Sequence, residues 1–328
     1  MNSRARSALI FCLGMVAAIA AAPDTRAADF PARPIKLVIP YAAGGPTDIF
    51  GRLLAEYLGK DLKQAVFVEN KPGAQGAIGA EMVARAEPDG YTLFGTSGSV
   101  LILNPLLYKK LSYDPARDFR MLALVTEVPV VLCIHPSVPA KTIAEFVAYA
   151  RQNPGKLNFG SSGTGSFTHL AAEMFKQMAG IEMTHIAYKG AAPALTDVMS
   201  GKIELMFESA SLALPPIRSG MLRPLGISSL QRHSDLPDVP TIAESGYPDY
   251  FVSVWNAVAA PARVPDDVAR ILNDSLDRVM NDARFRAALQ QVGYTALRPR
   301  SAAAIAEFIE ADRVRWTDVI RAQNIRLD

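Results

Sequence analysis

Ile35-Lys-Leu-Val-Ile-Pro-Tyr-Ala-Ala-Gly-Gly-Pro-Thr-Asp48 opens on a short β-branched run, passes through small residues and two glycines, and closes on a proline and an acid. Phe50, Leu53, Leu54, Tyr57 and Leu58 follow at the i, i+3, i+4, i+7, i+8 spacing of an amphipathic helix. Gly59 marks its expected end. A strand, a glycine turn and a helix in that order imply parallel strands joined by crossover helices, hence an α/β class. The next segments repeat the order: a strand over Ala65–Glu69, a helix over Ala77–Ala86 and a strand over Tyr91–Thr96.

The same grammar returns after residue 130. Strands are expected at Val130–Ile134, Leu157–Gly160, Met183–Ala187, Ile203–Phe207, Leu222–Ile227 and Val252–Ala259. Helices are expected at Ile143–Arg151, Phe167–Met178, Pro193–Met199, Leu212–Arg218, Asp266–Met280, Ala283–Gln290 and Ala302–Ile320. Two internal echoes point to two lobes of similar plan. Ile35 to Gly45 followed by Leu53-Leu-Ala-Glu resembles Leu157 to Gly165 followed by Leu170-Ala-Ala-Glu. Val131-Leu-Cys-Ile-His-Pro before Val138-Pro139 resembles Val254 to Pro261 before Val264-Pro265. The division expected is 28–128 plus 235–328 for lobe one and 129–234 for lobe two, with hinges near Thr126–Pro129 and Ser228–Ser234.

The chain has 328 residues, half of them hydrophobic and 20% charged, with 34 Lys+Arg against 32 Asp+Glu. That is too apolar for disorder, and too evenly charged for the electrostatic footprint of a nucleic-acid binder. Arg4 and Arg6, an uncharged run from Ala8 to Ala22, and Thr25-Arg26-Ala27 have the order of a secretory signal peptide cleaved after Ala27. Residues 1–27 are therefore read as a leader and the mature chain as periplasmic. The remainder balances 31 basic against 31 acidic residues and keeps Cys133 alone, so it forms no internal disulfide.

Three loops join a strand to a helix start: Tyr41-Ala42-Ala43-Gly44-Gly45-Pro46-Thr47-Asp48, Ser161-Ser162-Gly163-Thr164-Gly165-Ser166 running on to His169, and Tyr188-Lys189-Gly190. In the first, Gly45 caps the helix and Asp48 favours its dipole; in the second, Ser166 is the cap. A helix start exposes unpaired N–H groups, glycines let an anion approach them, and hydroxyls add donors. Brought to one cleft at the carboxyl ends of strands, these loops suit a carboxylate held by neutral dipoles. His169 is placed beside such a ligand. Cys133, His135 and His185 are read as packing residues.

Catalytic and cofactor signatures are weak. Gly-Ser-Ser-Gly-Thr-Gly misses Gly-x-Ser-x-Gly because Thr164 stands at the final position. The Gly-Lys pairs at 59–60, 155–156 and 201–202 lack a following Ser or Thr, so no Walker loop exists. The four histidines form no metal-ligand spacing. No catalytic residue, metal or cofactor is expected; the alternative is a secreted α/β hydrolase using Ser162.

Longer motifs carry a family resemblance. Pro34-x-Lys-x-Val-x-Pro-Tyr-Ala-Ala-Gly-Gly-x-x-Asp48, Val68-Glu-Asn-Lys-Pro-Gly-Ala-x-Gly76, Pro88-Asp-Gly-Tyr-Thr92, Tyr188-Lys-Gly-x-x-Pro-Ala-Leu-Thr-Asp197, Gly201-x-Ile-x-x-Met-Phe207 and Leu236-Pro-Asp-Val-Pro-Thr-Ile-Ala-Glu-Ser-Gly246 resemble the Bug-type periplasmic receptors of tripartite tricarboxylate transporters. The resemblance implies an α/β, two-lobed type II periplasmic-binding-protein fold, each lobe a mostly parallel sheet flanked by helices, with hinge strands between. It implies a monomer that captures a small organic acid and delivers it to membrane permease subunits. The carboxylate grip maps onto Tyr41, Ala43, Gly44, Gly45, Thr47, Asp48, Ser161, Ser162, Thr164, Gly165, Ser166, His169, Tyr188, Lys189 and Gly190. Glu208 stands where the family often has Asp after Met-Phe, a departure at the distal half of the ligand.

Overall fold

The computed structural model describes residues 30–322 and 325–327. The leader expected over 1–27 lies outside the described residues.

The opening stretch forms β1 (Ile35–Ile39), all but Lys36 buried, and α1 (Pro46–Leu62). Pro46 takes the first helical position and Asp48 the first turn, as a helix start favours. Gly59 does not end the helix. The chain continues to Leu62 and closes on Lys63 in the left-handed region (φ 53°), whose N–H caps Gly59 O. Gly59 is small for another reason: a Cβ there would lie 3.2 Å from Gln64 O and 3.4 Å from Val66 N, where the helix hands over to the next strand. That strand is β2 (Val66–Asn70), followed by α2 (Ala77–Ala84) and β3 (Thr92–Ser97). A π-helical turn over Ser99–Leu103 leads into α3 (Asn104–Leu107), and α4 (Pro115–Asp118) precedes a long strand.

That strand, β4 (Phe119–Ile134), runs for 16 residues where only its last five were expected. It is buried almost throughout, so it lacks the alternation that marks a half-exposed strand. Beyond it come α5 (Ile143–Gln152), β5 (Asn158–Ser161), α6 (Phe167–Ala179), β6 (Thr184–Ala187), α7 (Ala191–Met199), β7 (Leu205–Ser209), α8 (Ala210–Arg218) and β8 (Arg223–Ile227). The chain closes with β9 (Ser253–Pro261), α9 (Asp266–Asn281), α10 (Ala283–Gln291), β10 (Thr295–Ala296) and α11 (Ala302–Ala322).

The strands form two sheets that share β4. In the first, β2, β1 and β3 are parallel; β9 pairs antiparallel with β3 and with β4 from Phe119 to Pro129. In the second, β4 from Val130 onward pairs antiparallel with β7 and β8, and β7, β5 and β6 are parallel. Pro129 is the last residue in register with β9, opposite Ser253, and Val130 the first in register with β7, opposite Ser209. The strand directions have a consequence for function. β4 runs from the first sheet into the second, so β5, β6 and β7 point back toward the first. β9 runs into the first sheet, so β1, β2 and β3 point toward the second. The carboxyl ends of all six parallel strands therefore face the seam between the sheets, the place where open α/β sheets bind ligands.

The return path is longer than one hinge strand. Ile227 N–H donates to Pro240 O (3.0 Å) and Ile242 N–H to Ile227 O (2.8 Å), so this segment lies along β8. Tyr250 donates to Ala171 O of α6 (2.9 Å) and its ring packs near Phe175 and Phe207. Ser228 ties the two crossings: its hydroxyl accepts from Val130 N–H (2.8 Å) and donates to the Val252 carbonyl.

Candidate functional site

Loop one, after β1, is shaped by a buried acid. Asp48 is 2% exposed, and its carboxylate accepts from Gly44 N–H (2.8 Å), Arg52 Nε (2.9 Å) and Asn70 Nδ2 (2.9 Å). Asn70 also donates to Tyr41 O (3.0 Å). Burial alone pushes the Asp48 pKa up; the hydrogen bonds from Arg52, Gly44 and Asn70 outweigh it and hold the carboxyl below its ordinary range. Both oxygens are engaged inward, so Asp48 sets the loop's conformation. Gly44 carries the left-handed φ of +80°, whereas Gly45, the helix cap, has an ordinary φ of −78°. Ala43 and Gly44 are exposed, and the N–H groups of Ala43 and Thr47 and the Thr47 hydroxyl make no hydrogen bond among the described residues. The Tyr41 hydroxyl shares a hydrogen bond with Ser97 Oγ at the end of β3 (3.0 Å).

Loop two, after β5, is shaped by hydroxyls and a stacked pair of imidazoles. Thr168 Oγ1 accepts from Ser162 N–H (3.0 Å) and contacts the hydroxyls of Ser162 (3.1 Å) and Ser166 (3.0 Å). Ser166 caps α6 by accepting from His169 N–H (3.3 Å). His169 does not face the seam: it is buried, its Nδ1 accepts from Gly165 N–H (3.0 Å), and its ring stacks on His185 at 3.8 Å. It supports the loop from behind. Ser161 is fully buried and bonded to His185 Nε2 at 2.7 Å. Burial first, and then the neighbouring His169, depress the His185 pKa to about 4, so the ring is neutral at pH 7. Thr164 is partly exposed, and neither its N–H nor its hydroxyl has a partner among the described residues.

Loop three lies directly against loop two. Tyr188 N–H donates to Ser161 O (3.1 Å), and its hydroxyl turns to Asp197 (2.6 Å). Lys189 is exposed and forms no ion pair among the described residues. Gly190 caps α7 at φ +116°. Glu208, near the carboxyl end of β7, is 2% exposed; its Oε1 accepts from the Ser209 N–H (2.7 Å) and hydroxyl (2.8 Å). Its Oε2 is buried without a partner. Burial raises its pKa to about 7 despite those hydrogen bonds.

The structure thus joins loops two and three by direct bonds and sets loop one on the opposing sheet. A lobe-one segment that comes close to loop two was absent from the sequence-derived site: Gly73–Gly76, after β2. A Cβ built on Gly163 would lie 3.4 Å from Gln75 Nε2 and 3.4 Å from Tyr188 O; one on Gly165 would meet Leu107 Cδ1 at 2.7 Å and Leu327 Cδ1 at 3.1 Å. The signal was present in Lys71-Pro-Gly-Ala-Gln-Gly76, a second glycine turn between a strand and a helix. Among the described residues Ser162 has no basic partner and its hydroxyl meets only Thr168, while the serine bonded to a histidine, Ser161, is sealed from solvent. That geometry gives the hydrolase alternative no nucleophile. No cluster of three or more His, Cys, Asp or Glu residues suited to a metal exists among the described residues.

Two facing α/β lobes with dipole-lined loops at their seam define a type II periplasmic binding protein. The family model for the tripartite tricarboxylate transporter family receptor matches residues 50–325, and the chain belongs to that family: it is a solute receptor, a binding protein and not an enzyme. It is 33% identical to Protein BugT of Bordetella pertussis over 324 residues, covering 97% of this chain and 98% of that one. The structure of R. palustris Rpa4515 with adipate superposes with a TM-score of 0.84 at 34% identity, covering 91% of this chain and 99% of that one. MatC from Rhodopseudomonas palustris, with bound malate, superposes with a TM-score of 0.79 at 32% identity, covering 89% and 100%.

Proposed function

We propose that this receptor captures a small dicarboxylic acid between its lobes in the periplasm and delivers it, as a monomer, to the permease subunits of a tripartite tricarboxylate-type transporter. The observation that carries the reading is the convergence of two helix starts, each with N–H groups and a threonine hydroxyl lacking protein partners, from opposite sides of one seam. Each lobe offers part of the donor set, so a carboxylate bridging both favours the apposed form by its differential affinity. Ala43, Gly44, Gly45 and Thr47 would meet it from lobe one, and Ser162, Thr164 and Gly165 from lobe two. Lys189 and Gly190 rim the site. Tyr41, Asp48, Ser161, Ser166, His169 and Tyr188 hold the loops in shape. Glu208, whose burial favours holding its proton, would donate that O–H to the distal end of the acid. The relatives seen with adipate and malate support the dicarboxylate class.

The export signal is read as residues 1–27, cleaved after Ala27. The lobes are taken as 28–128 plus 235–328 and 129–234, with one adjustment that the packing of Thr241, Ile242 and Tyr250 on β8 and α6 supports: 235–252 is read with lobe two. The second hinge then lies at Val252–Ser253. Native mass spectrometry of the periplasmically expressed protein, with thermal melts against C4–C6 dicarboxylates, tests the reading. The expected result is a retained acid, or a melting shift of several degrees with one of them. No retained ligand and no shift with any carboxylate would overturn it.

A further inference from the structure

Ala74 and Gln75 occupy the left-handed region, with φ of 47° and 52°, and apart from Lys63 they are the only non-glycine residues to do so among the described residues. Side chains there are strained, and strain retained at consecutive residues needs the surroundings to impose it. The surroundings do. Asn104, buried at the start of α3, donates to Gln75 O (3.1 Å) and meets the Tyr113 hydroxyl (3.1 Å), which in turn donates to Val100 O (2.7 Å). The neighbouring Gly76 is pressed so closely that a Cβ would fall 2.7 Å from Val100 and 3.2 Å from Pro40, the residue that opens loop one. A buried polar chain therefore fixes the backbone that aims Gln75 across the seam at Gly163. The Gln75 carboxamide itself makes no side-chain hydrogen bond among the described residues.

We propose that Gln75 selects the ligand: from lobe one, its amide donates to the second polar group of the captured acid, distinguishing dicarboxylates from monocarboxylates of equal length. This rests on the receptor reading above. A neutral amide suits the task because it satisfies an anionic oxygen without importing a charge into a narrow gap between lobes. A glycine in its place would relieve the strain and reach nothing, which accounts for a strained glutamine in a loop otherwise rich in glycine.

The test uses Gln75→Glu, equal in shape but an acceptor and anionic, and Gln75→Asn, which tolerates the left-handed backbone and keeps the amide but is one methylene shorter. Adipate and hexanoate are the probes, titrated by calorimetry against the mature protein, with melts of each variant without ligand. Expected are melts close to wild type and a fall in adipate affinity of roughly ten- to a hundredfold, with hexanoate affinity unchanged, so that the ratio of the two collapses. Wild-type binding of adipate with an unaltered ratio in both variants would overturn the inference and leave the receptor reading standing. A wild type that responds to no carboxylate would overturn the receptor reading and this inference with it.

Discussion

Loops one and two follow the same plan, strand to glycine turn to helix, yet they are held in shape by opposite chemistry. Loop one is organised around the ionised Asp48, which collects Gly44 N–H, Asn70 and Arg52. Loop two is organised around the Thr168 hydroxyl and a stacked His169–His185 pair bonded to Gly165 and Ser161, in which His185 is neutral at pH 7. Both leave N–H groups at a helix start without protein partners. A charged hub one turn into a helix is stabilised by the dipole, whereas a charged imidazole beneath loop two would place a proton in a poorly solvated site beside a second histidine. The difference teaches that two loops of the same plan, each leaving N–H groups free at a helix start, can rest on foundations with different responses to pH.

Four measurements break or sharpen that contrast. Asp48→Ala should have the largest effect, because it strands the Asn70 amide and Gly44 N–H together: a loss of about 2–4 kcal/mol in urea unfolding at pH 7, with ligand affinity lost as loop one relaxes. The folded carboxyl titrates below its unfolded value of 3.8, so the wild-type advantage is complete above that value and fades as pH falls through the lower one. An advantage undiminished by acid would mean that Asp48 acts through packing.

Under loop two the acid response has another window. His185 is neutral in the fold down to about pH 4 but takes up a proton near 6.5 when unfolded. Wild-type stability should fall as pH drops from 6.5 toward 4 and then level off; His185→Gln should flatten melting curves taken across that window. Equal slopes in the two proteins would remove His185 from the account.

Glu208 has the opposite sign. Its folded pKa of about 7 stands above the ordinary 4.5, so its contribution is full below 4.5 and is lost as pH rises through 7. Glu208→Gln should therefore gain on the wild type between pH 5 and pH 8, read as the difference in melting temperature, and a constant difference would refute the assignment. The smallest stability effect belongs to Thr164→Ala, within about 0.5 kcal/mol because its hydroxyl holds nothing in the protein. Its affinity for the acid that gives the melting shift should still fall roughly tenfold or more in calorimetry, through loss of one donor to a charged acceptor.

Much of this was legible along the chain. The spacing of Phe50, Leu54 and Leu58 marked α1, and all three are fully buried. The echo between Val131 onward and Val254 onward corresponds to β4 and β9, the two strands that enter the lobes in opposite directions. The first eleven residues of β4, Phe119 to Pro129, were not legible, because a strand buried on both faces carries no alternation, and Pro129 reads as a break although it sits at the handover between sheets. His169 looked like a ligand neighbour because it opens a helix after a glycine loop. Which side of the loop its ring takes depends on Phe159 and His185, brought beneath it from other strands, and on Glu173 one turn along its own helix.

Local periodicity and turn chemistry, which act over a few residues, determined the alternation of strands and helices, the helix starts and the candidate anion loops. Those same forces are blind to partners far along the chain. Only the tertiary structure decided that Asp48 turns inward to Asn70 while Thr164 stays free, that Glu208 is buried with one oxygen unpaired, and that Gln75 reaches Gly163, 88 positions away. A polar side chain bonds whichever partner the fold brings within about 3 Å, and strand direction, set by pairing across the sheets, fixes which partners those are.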